Sequence, residues 1–229
     1  MSTAQGARAR ARTEITAAIK DEARRQLAAE GASKLSLRAV ARALGMVSSA
    51  LYRYFPSRDD LLTALIIDAY DSLGGAAETA HAAVAGAGEL DRWTAVCEAV
   101  RGWALDHPHE YALIYGSPVP GYTAPRTTVL PAARVGLLLV GIVRDAHGRG
   151  ALAAPPLPGG LREEAARIAA DLAPELPPEA ALALVAAWAQ LFGLVGFELF
   201  GQFERVVEER APFFRHAAVR LAAGVGLPA

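Results

Sequence analysis

Between Ala180 and Phe200 the chain reads AALALVAAWAQLFGLVGFELF, interrupted by only two polar side chains, Gln190 and Glu198. A helix this apolar on every side has no face for water and must be covered on at least two sides, by lipid or by protein. The run matches the roughly 20 apolar residues that a bilayer requires. Alanine supplies much of its apolar character, however, no basic cluster flanks it closely, and charged chain follows on both sides. A helix buried in a soluble protein, with no membrane partner, is therefore the expected state. Leu182, Val185, Trp188, Phe192, Val195 and Leu199 form one stripe, and Leu184, Leu191 and Leu194 lie off it. One cover is the helix's own domain. The other is the same helix of a second subunit about a two-fold axis, with Gly193 and Gly196 allowing close approach. The last helix would complete a four-helix interface, giving Leu184, Leu191, Gly193, Leu194, Phe213, Phe214, Ala217 and Leu221 as the expected homodimer contacts. A monomeric core rich in alanine is the plainer reading of the same residues.

The remaining patterns are helical too, and no alternating run of β-branched residues suggests a sheet, so the fold class is all-α. Ile15, Ile19, Ala23 and Leu27 recur every four residues, which places a first helix over 10–30 with Gly31 at its end. Ser36 caps a short helix over 37–44, and Gly45 ends it. A third helix covers 48–54 before Pro56, and a fourth runs from 58 toward 73, where Gly74 and Gly75 loosen it. Further helices are expected over 91–106, from Pro108 to Gly116, over 128–147, 179–200 and 207–224, with a short amphipathic segment after Gly160 and Pro-rich loops at 117–125 and 150–160. The domains expected are a three-helix head over residues 1–60, bridged by the fourth helix to about 75, and a larger helical domain over 85–229.

Charge separates the two. Residues 1–60 carry 11 Lys+Arg and 6 Asp+Glu, net +5, whereas 61–229 carry 12 and 18, net −6. A compact basic head on an acidic body points to a polyanion at one end, although a solvated charged surface gives the same split. At 53% hydrophobic residues and a net charge of −1 the chain is not disordered. The single Cys97 forms no internal disulfide, and MSTAQGARARAR lacks the apolar segment of a signal peptide, so the cytoplasm is the expected compartment.

Two short helices joined at Gly45 and packed on a longer one describe a helix-turn-helix. With Val47, Leu51 and Phe55 four apart and facing the core, Ser48, Ser49, Ala50, Tyr52 and Arg53 face outward. Short side chains at the leading end let the backbone approach base edges in the major groove of double-stranded DNA. Tyr54 and Arg58 flank that surface and are expected on phosphates, with Lys34, Ser36 and Arg38 on the opposite backbone. Tyr52 and Tyr54 also fit plain packing against the first helix. Arg8, Arg10 and Arg12 fit either a solvated tail or an arm along the DNA.

The segment LSLRAVARALGMVSSALYRYFPSRDDLL, Leu35–Leu62, resembles the DNA-binding part of the TetR family of transcriptional regulators. The match rests on Ser36, Val40-Ala41, Gly45, Leu51-Tyr52, Phe55, Pro56 and Arg58 at fixed offsets. The resemblance implies a homodimer that holds operator DNA as a repressor and releases it when a small molecule enters the second domain. Where Val47 stands the family usually has Ser or Thr; capping would pass to Ser48 and shift the first base contact by about one residue. The chain from about 85 onward is similar to the subtype marked by Trp and a following His-Gly pair, with Phe192 in place of the histidine.

Trp103, Tyr111, Tyr115, Trp188 and Phe192 are candidates for an apolar effector pocket, although aromatic stripes at helical spacing also fit a core. Glu198, a carboxylate on an apolar helix, needs a cationic ligand or an ion-pair partner, the latter reached across the subunit interface. Asp106-His107-Pro108-His109-Glu110 has metal-ligand residue types, but Pro108 starts a helix and turns His107 and His109 apart. No nucleophile elbow, phosphate loop, zincin or Cys-x-x-Cys motif is present, and Cys97 lies on an apolar stripe. No metal, cofactor or enzymatic activity is expected. The rival reading is a helical carrier or enzyme with an incidental basic head.

Overall fold

The computed structural model describes residues 3–228, and among them every regular element is helical. The α-helices are α1 (Thr3–Glu30), α2 (Leu37–Ala43), α3 (Ser48–Leu51), α4 (Arg58–Ala83), α5 (Glu89–Asp106), α6 (Pro108–Tyr115), α7 (Val129–Gly148), α8 (Arg162–Leu172), α9 (Pro178–Leu199) and α10 (Arg210–Gly224). The all-α expectation holds. Backbone contacts divide the chain into two units: residues up to Tyr70 with His109–Val129, and Asp71–Pro108 with everything from Leu130 onward. Sequence order gave no sign that residues 109–129 belong with the basic head.

The head closes over Ile19, Ala23 and Leu27 of α1, Leu37, Val40 and Ala41 of α2, Leu51, Phe55, and Leu61, Leu62 and Leu65 of α4, all buried. Leu113, Val119 and Tyr122 pack on the same core. Polar ties hold this late segment: Thr63 and Tyr122 share a hydroxyl hydrogen bond of 2.9 Å, and Tyr70 donates to the Ile114 carbonyl. Arg24 pairs with Asp68 at 2.7 Å and with Glu110 at 3.1 Å, joining α1, α4 and α6. Lys20 adds a second bridge to Asp68.

Four helix boundaries depart from the sequence reading by three residues or more. α1 continues back to Thr3, so Arg8, Arg10 and Arg12 ride a helix rather than a free tail or arm. α3 stops at Leu51, because Tyr54 and Phe55 both donate to the Leu51 carbonyl and the residue before a proline is pushed out of helical geometry. α4 passes through Gly74 and Gly75 to Ala83. Each glycine costs only about 1 kcal/mol. Gly74 in turn gives Arg134 room: a Cβ there would lie 2.7 Å from its Nε, and Arg134 is bound to Asp71 and Glu78. α10 begins at Arg210 rather than at 207.

In the second unit α9 packs against α5, α8 and α10. Two stretches, Arg126–Gly148 and Pro178–Leu199, are long and apolar enough to cross a membrane by composition alone. Each buries one of its sides in protein, through Val135, Leu139, Ile142 and Val143 and through Ala181, Leu184, Leu191 and Val195. Trp93 donates from its indole to the Ala218 carbonyl. Cys97 is fully buried beside Val96 and Val100, and burial pushes its thiol well above the ordinary range, which makes it inert packing. The Pro-rich loop is fastened at Gly226, whose φ is +93° and whose carbonyl accepts from the Ala153 amide. A Cβ at Gly226 would lie 2.3 Å from the Ala153 carbonyl oxygen. Gly226→Ala is therefore expected to lower stability by about 1–3 kcal/mol, measured by urea unfolding.

At the end of α4, Arg92 donates to Nε2 of His81 and pairs with Asp145 at 2.7 Å. Burial, with Arg92 beside it, lowers the His81 pKa below the ordinary 6.5, outweighing the opposite pull of Asp145. The unfolded chain thus takes up this proton first. The His81 contribution to stability is complete above the ordinary value and is lost as pH falls through the lowered one. Unfolding midpoints taken between about pH 7.5 and 5.5 should fall with pH, and His81→Gln should flatten that slope.

Candidate nucleic-acid interface

The reading surface is built on a turn. Ser36, in extended conformation, accepts from the Ala39 amide and caps α2. Gly45 takes φ +65°, which only glycine adopts cheaply, and the Met46 amide returns to the Ala41 carbonyl. The chain then enters α3 with Val47 as its N-cap. Leu51 is fully buried and Phe55 nearly so, as expected. Val47 does not join them. It is 70% exposed, because its extended backbone, φ −70° and ψ 138°, takes its side chain out of the helical register that a four-residue spacing assumes. No side chain caps α3, so Ser48 is the first helical residue and not the cap.

Ser49, Tyr52 and Arg53 are exposed, and Ser48, Ala50 and Tyr54 are half-buried. On the other flank Lys34 and Arg38 are exposed. Ser36, Arg38, Tyr52 and Arg58 line one open hollow, so four of the expected phosphate or groove residues meet in space. Arg58 is the exception in its manner of use. Its guanidinium donates to the carbonyls of Leu35, Ala32 and Ser33, the shortest at 2.8 Å, and lies 3.5 Å from Asp59. The arginine expected on phosphate thus ties the start of α4 to the turn before α2. Arg12, expected in a solvated tail or an arm along the DNA, has its guanidinium 5.1 Å from the Tyr54 ring centre and reaching the Arg53 carbonyl, contacts the sequence did not suggest. The face combines short side chains, a phenol and exposed cationic tips beside a buried core, which suits a duplex groove and its phosphates.

Residues 19–65 match the family of bacterial regulatory proteins, tetR family, and residues 93–221 match the Tetracyclin repressor-like C-terminal domain. The chain belongs to the TetR family. It is 40% identical over 201 residues to the HTH-type transcriptional regulators Rv1816 of Mycobacterium tuberculosis and Mb1846 of Mycobacterium bovis, covering 86% of each chain in both cases. The crystal structure of SCO4313 superposes with a TM-score of 0.75 at 36% identity, over 93% of this chain and 98% of that one. PfmR of Thermus thermophilus, at a TM-score of 0.59 and 19% identity over 92% and 99%, shares the fold. The protein is accordingly a DNA-binding transcriptional regulator and not an enzyme. TetR-family regulators bind operator DNA and generally act as dimers.

The residues expected to hold an effector are divided between the two units. Tyr111 and Tyr115 lie in the head, where Tyr115 meets Tyr70 edge to face at 5.9 Å and burial raises both phenols well above the usual range. Trp103 donates to Ser72 and stacks on His107 at 4.9 Å. Glu198 is buried against Arg101 of its own subunit through two hydrogen bonds, 2.6 and 2.8 Å, and Arg101 lies over Phe214. It needs neither ligand nor partner subunit. Phe192 is buried, and Trp188 lines a cavity. That cavity, about 270 Å³, lies among α7, α8 and α9 and is lined by Leu137, Val140, Leu172, Leu184, Val185 and Trp188 among others.

Of the expected dimer residues, Leu184, Leu191, Phe214 and Leu221 are buried within their own subunit. Gly193 and Phe213 are exposed, and Leu194 and Ala217 half-buried. In the five-residue stretch around Pro108, His107 ends α5 and its Nδ1 faces the Trp103 carbonyl, while Glu110 pairs with Arg24. No group of three metal-binding side chains occurs among the described residues. Because Arg58 holds three carbonyls, Arg58→Ala should cost about 1–3 kcal/mol of stability. Thermal unfolding should show this loss while Arg53→Ala, at an exposed site, stays within about 0.5 kcal/mol of the parent.

Proposed function

We propose that the protein is a homodimeric repressor that holds a palindromic operator and releases it when a neutral, apolar small molecule binds the second unit. The observation that carries the operator half is the outward face of α3, where Val47, Ser48, Ser49 and Ala50 are short enough to bring backbone close to base edges. Tyr52, Arg53 and Arg38 follow as phosphate contacts, with Arg12 held beside them by Tyr54. The dimer reading rests on the part of α9 and α10 that the subunit leaves open, namely Gly193, Phe197 and Phe213 with Leu194 and Ala217. Two such heads read one face of a duplex when their half-sites lie about 34–36 Å apart, or a multiple of it.

The effector half rests on the cavity among α7, α8 and α9. Its walls are aliphatic side chains, alanines and the Trp188 ring, with no charged group, so an ionised ligand would lose its hydration without compensation. A ligand that prefers one spacing of the two heads weakens DNA binding by the factor that DNA weakens its own binding.

A random-sequence duplex library retained on the full chain is expected to yield an inverted repeat. A panel of uncharged aromatic and alkyl compounds, screened by thermal shift, should contain at least one that raises the unfolding temperature. The same compound should weaken binding to the selected duplex about tenfold or more, and Ala133→Trp, which fills the cavity, should remove that response. A selected duplex whose affinity no stabilising compound changes would dismiss the sensing role and leave the DNA-binding role standing.

A further inference from the structure

At the tip of the reading surface Val47 breaks two local rules at once. An N-cap side chain ordinarily accepts from the first amides of its helix, and valine has no acceptor to offer; α3 accordingly has no side-chain cap. An isopropyl group is ordinarily buried, yet this one is 70% exposed while Leu51 and Phe55 fill the core beneath it. Positions where the sequence contradicts its own local structure are where function is to be sought.

The surroundings say what kind of group such a side chain meets. Ser48, Ser49 and Ala50, which follow it, are all short, and Val47 itself is 70% exposed. Gly45 and Met46 precede it in the turn. Along the major groove the base edges offer hydrogen-bond donors and acceptors, none of which valine can use, and a single apolar group, the C5 methyl of thymine. We propose that Val47 packs against the C5 methyl of one thymine in each operator half-site and sets the base preference there. This rests on DNA binding through α3.

The contact is apolar and releases no counterion, so it alters which base is preferred and leaves the salt dependence of binding unchanged. It also gives up stability for selectivity. A hydroxyl at the same position would cap α3 and leave the base preference relaxed.

The test uses the full chain and duplexes recovered from a random-sequence library. Each thymine is replaced singly by deoxyuridine, which removes the methyl group and keeps the pairing. One thymine per half-site is expected to lose about three- to fivefold in affinity on this replacement, the worth of one methyl group withdrawn from water. With Val47→Ser the same replacement should change affinity less than about twofold, at an unaltered salt slope, while the unfolding temperature rises through the new cap. Equal uracil effects in the parent and in Val47→Ser, or no uracil effect at any position, would overturn the assignment. So would a uracil effect that disappears together with part of the salt slope, which would place Val47 on the backbone. Failure to recover any duplex would instead remove DNA reading by α3, and this proposal with it.

Discussion

Leu51 and Phe55 hold the reading surface in place. A helix of four residues has no stability of its own, since nucleation costs more than its few hydrogen bonds return. What keeps α3 in one orientation is Leu51, sunk without exposure between α1, α2 and α4, with Phe55 beside it. Gly45 at one end and Pro56 at the other fix where the chain enters and leaves. Every outward group named on this face, from Val47 to Arg53, inherits its direction from those two buried side chains.

The helix-turn-helix was legible in the sequence because its determinants are close together: a cap at Ser36, a left-handed glycine at Gly45 and an apolar pair four residues apart. The same reasoning failed at Val47, since four-residue spacing implies a shared face only where the backbone is helical, and a cap is not. It also failed where a side chain's partner is distant. Arg58 was recognisable as basic, but the carbonyls that claim it come from residues 32–35. Glu198 was recognisable as needing a cation, but Arg101 is 97 positions away.

The second unit shows a related limit. Composition identified α9 as a helix that needs cover on several faces, and α5, α8 and α10 supply much of it. Which residues face inward could not be read from a helix apolar all round, because periodicity carries no information where nearly every position is hydrophobic. Leu184 and Leu191, expected at a partner, turned out to face the subunit's own interior. The two glycines in α4 misled for the opposite reason: they look like an ending, and Gly74 is a close approach that makes room for Arg134.

The segment 109–129 gives the head a lid that the head's own stretch of sequence does not encode. Leu113, Val119 and Tyr122 complete its core, and Glu110 and Ile114 take up Arg24 and Tyr70. Transplanting only the N-terminal 70 residues onto another scaffold would uncover apolar surface of the head's core and take Glu110 from Arg24. Chimaeras that exchange specificity between relatives must therefore carry this distant insertion with them, and recombination within the gene would have to respect a unit that is not contiguous.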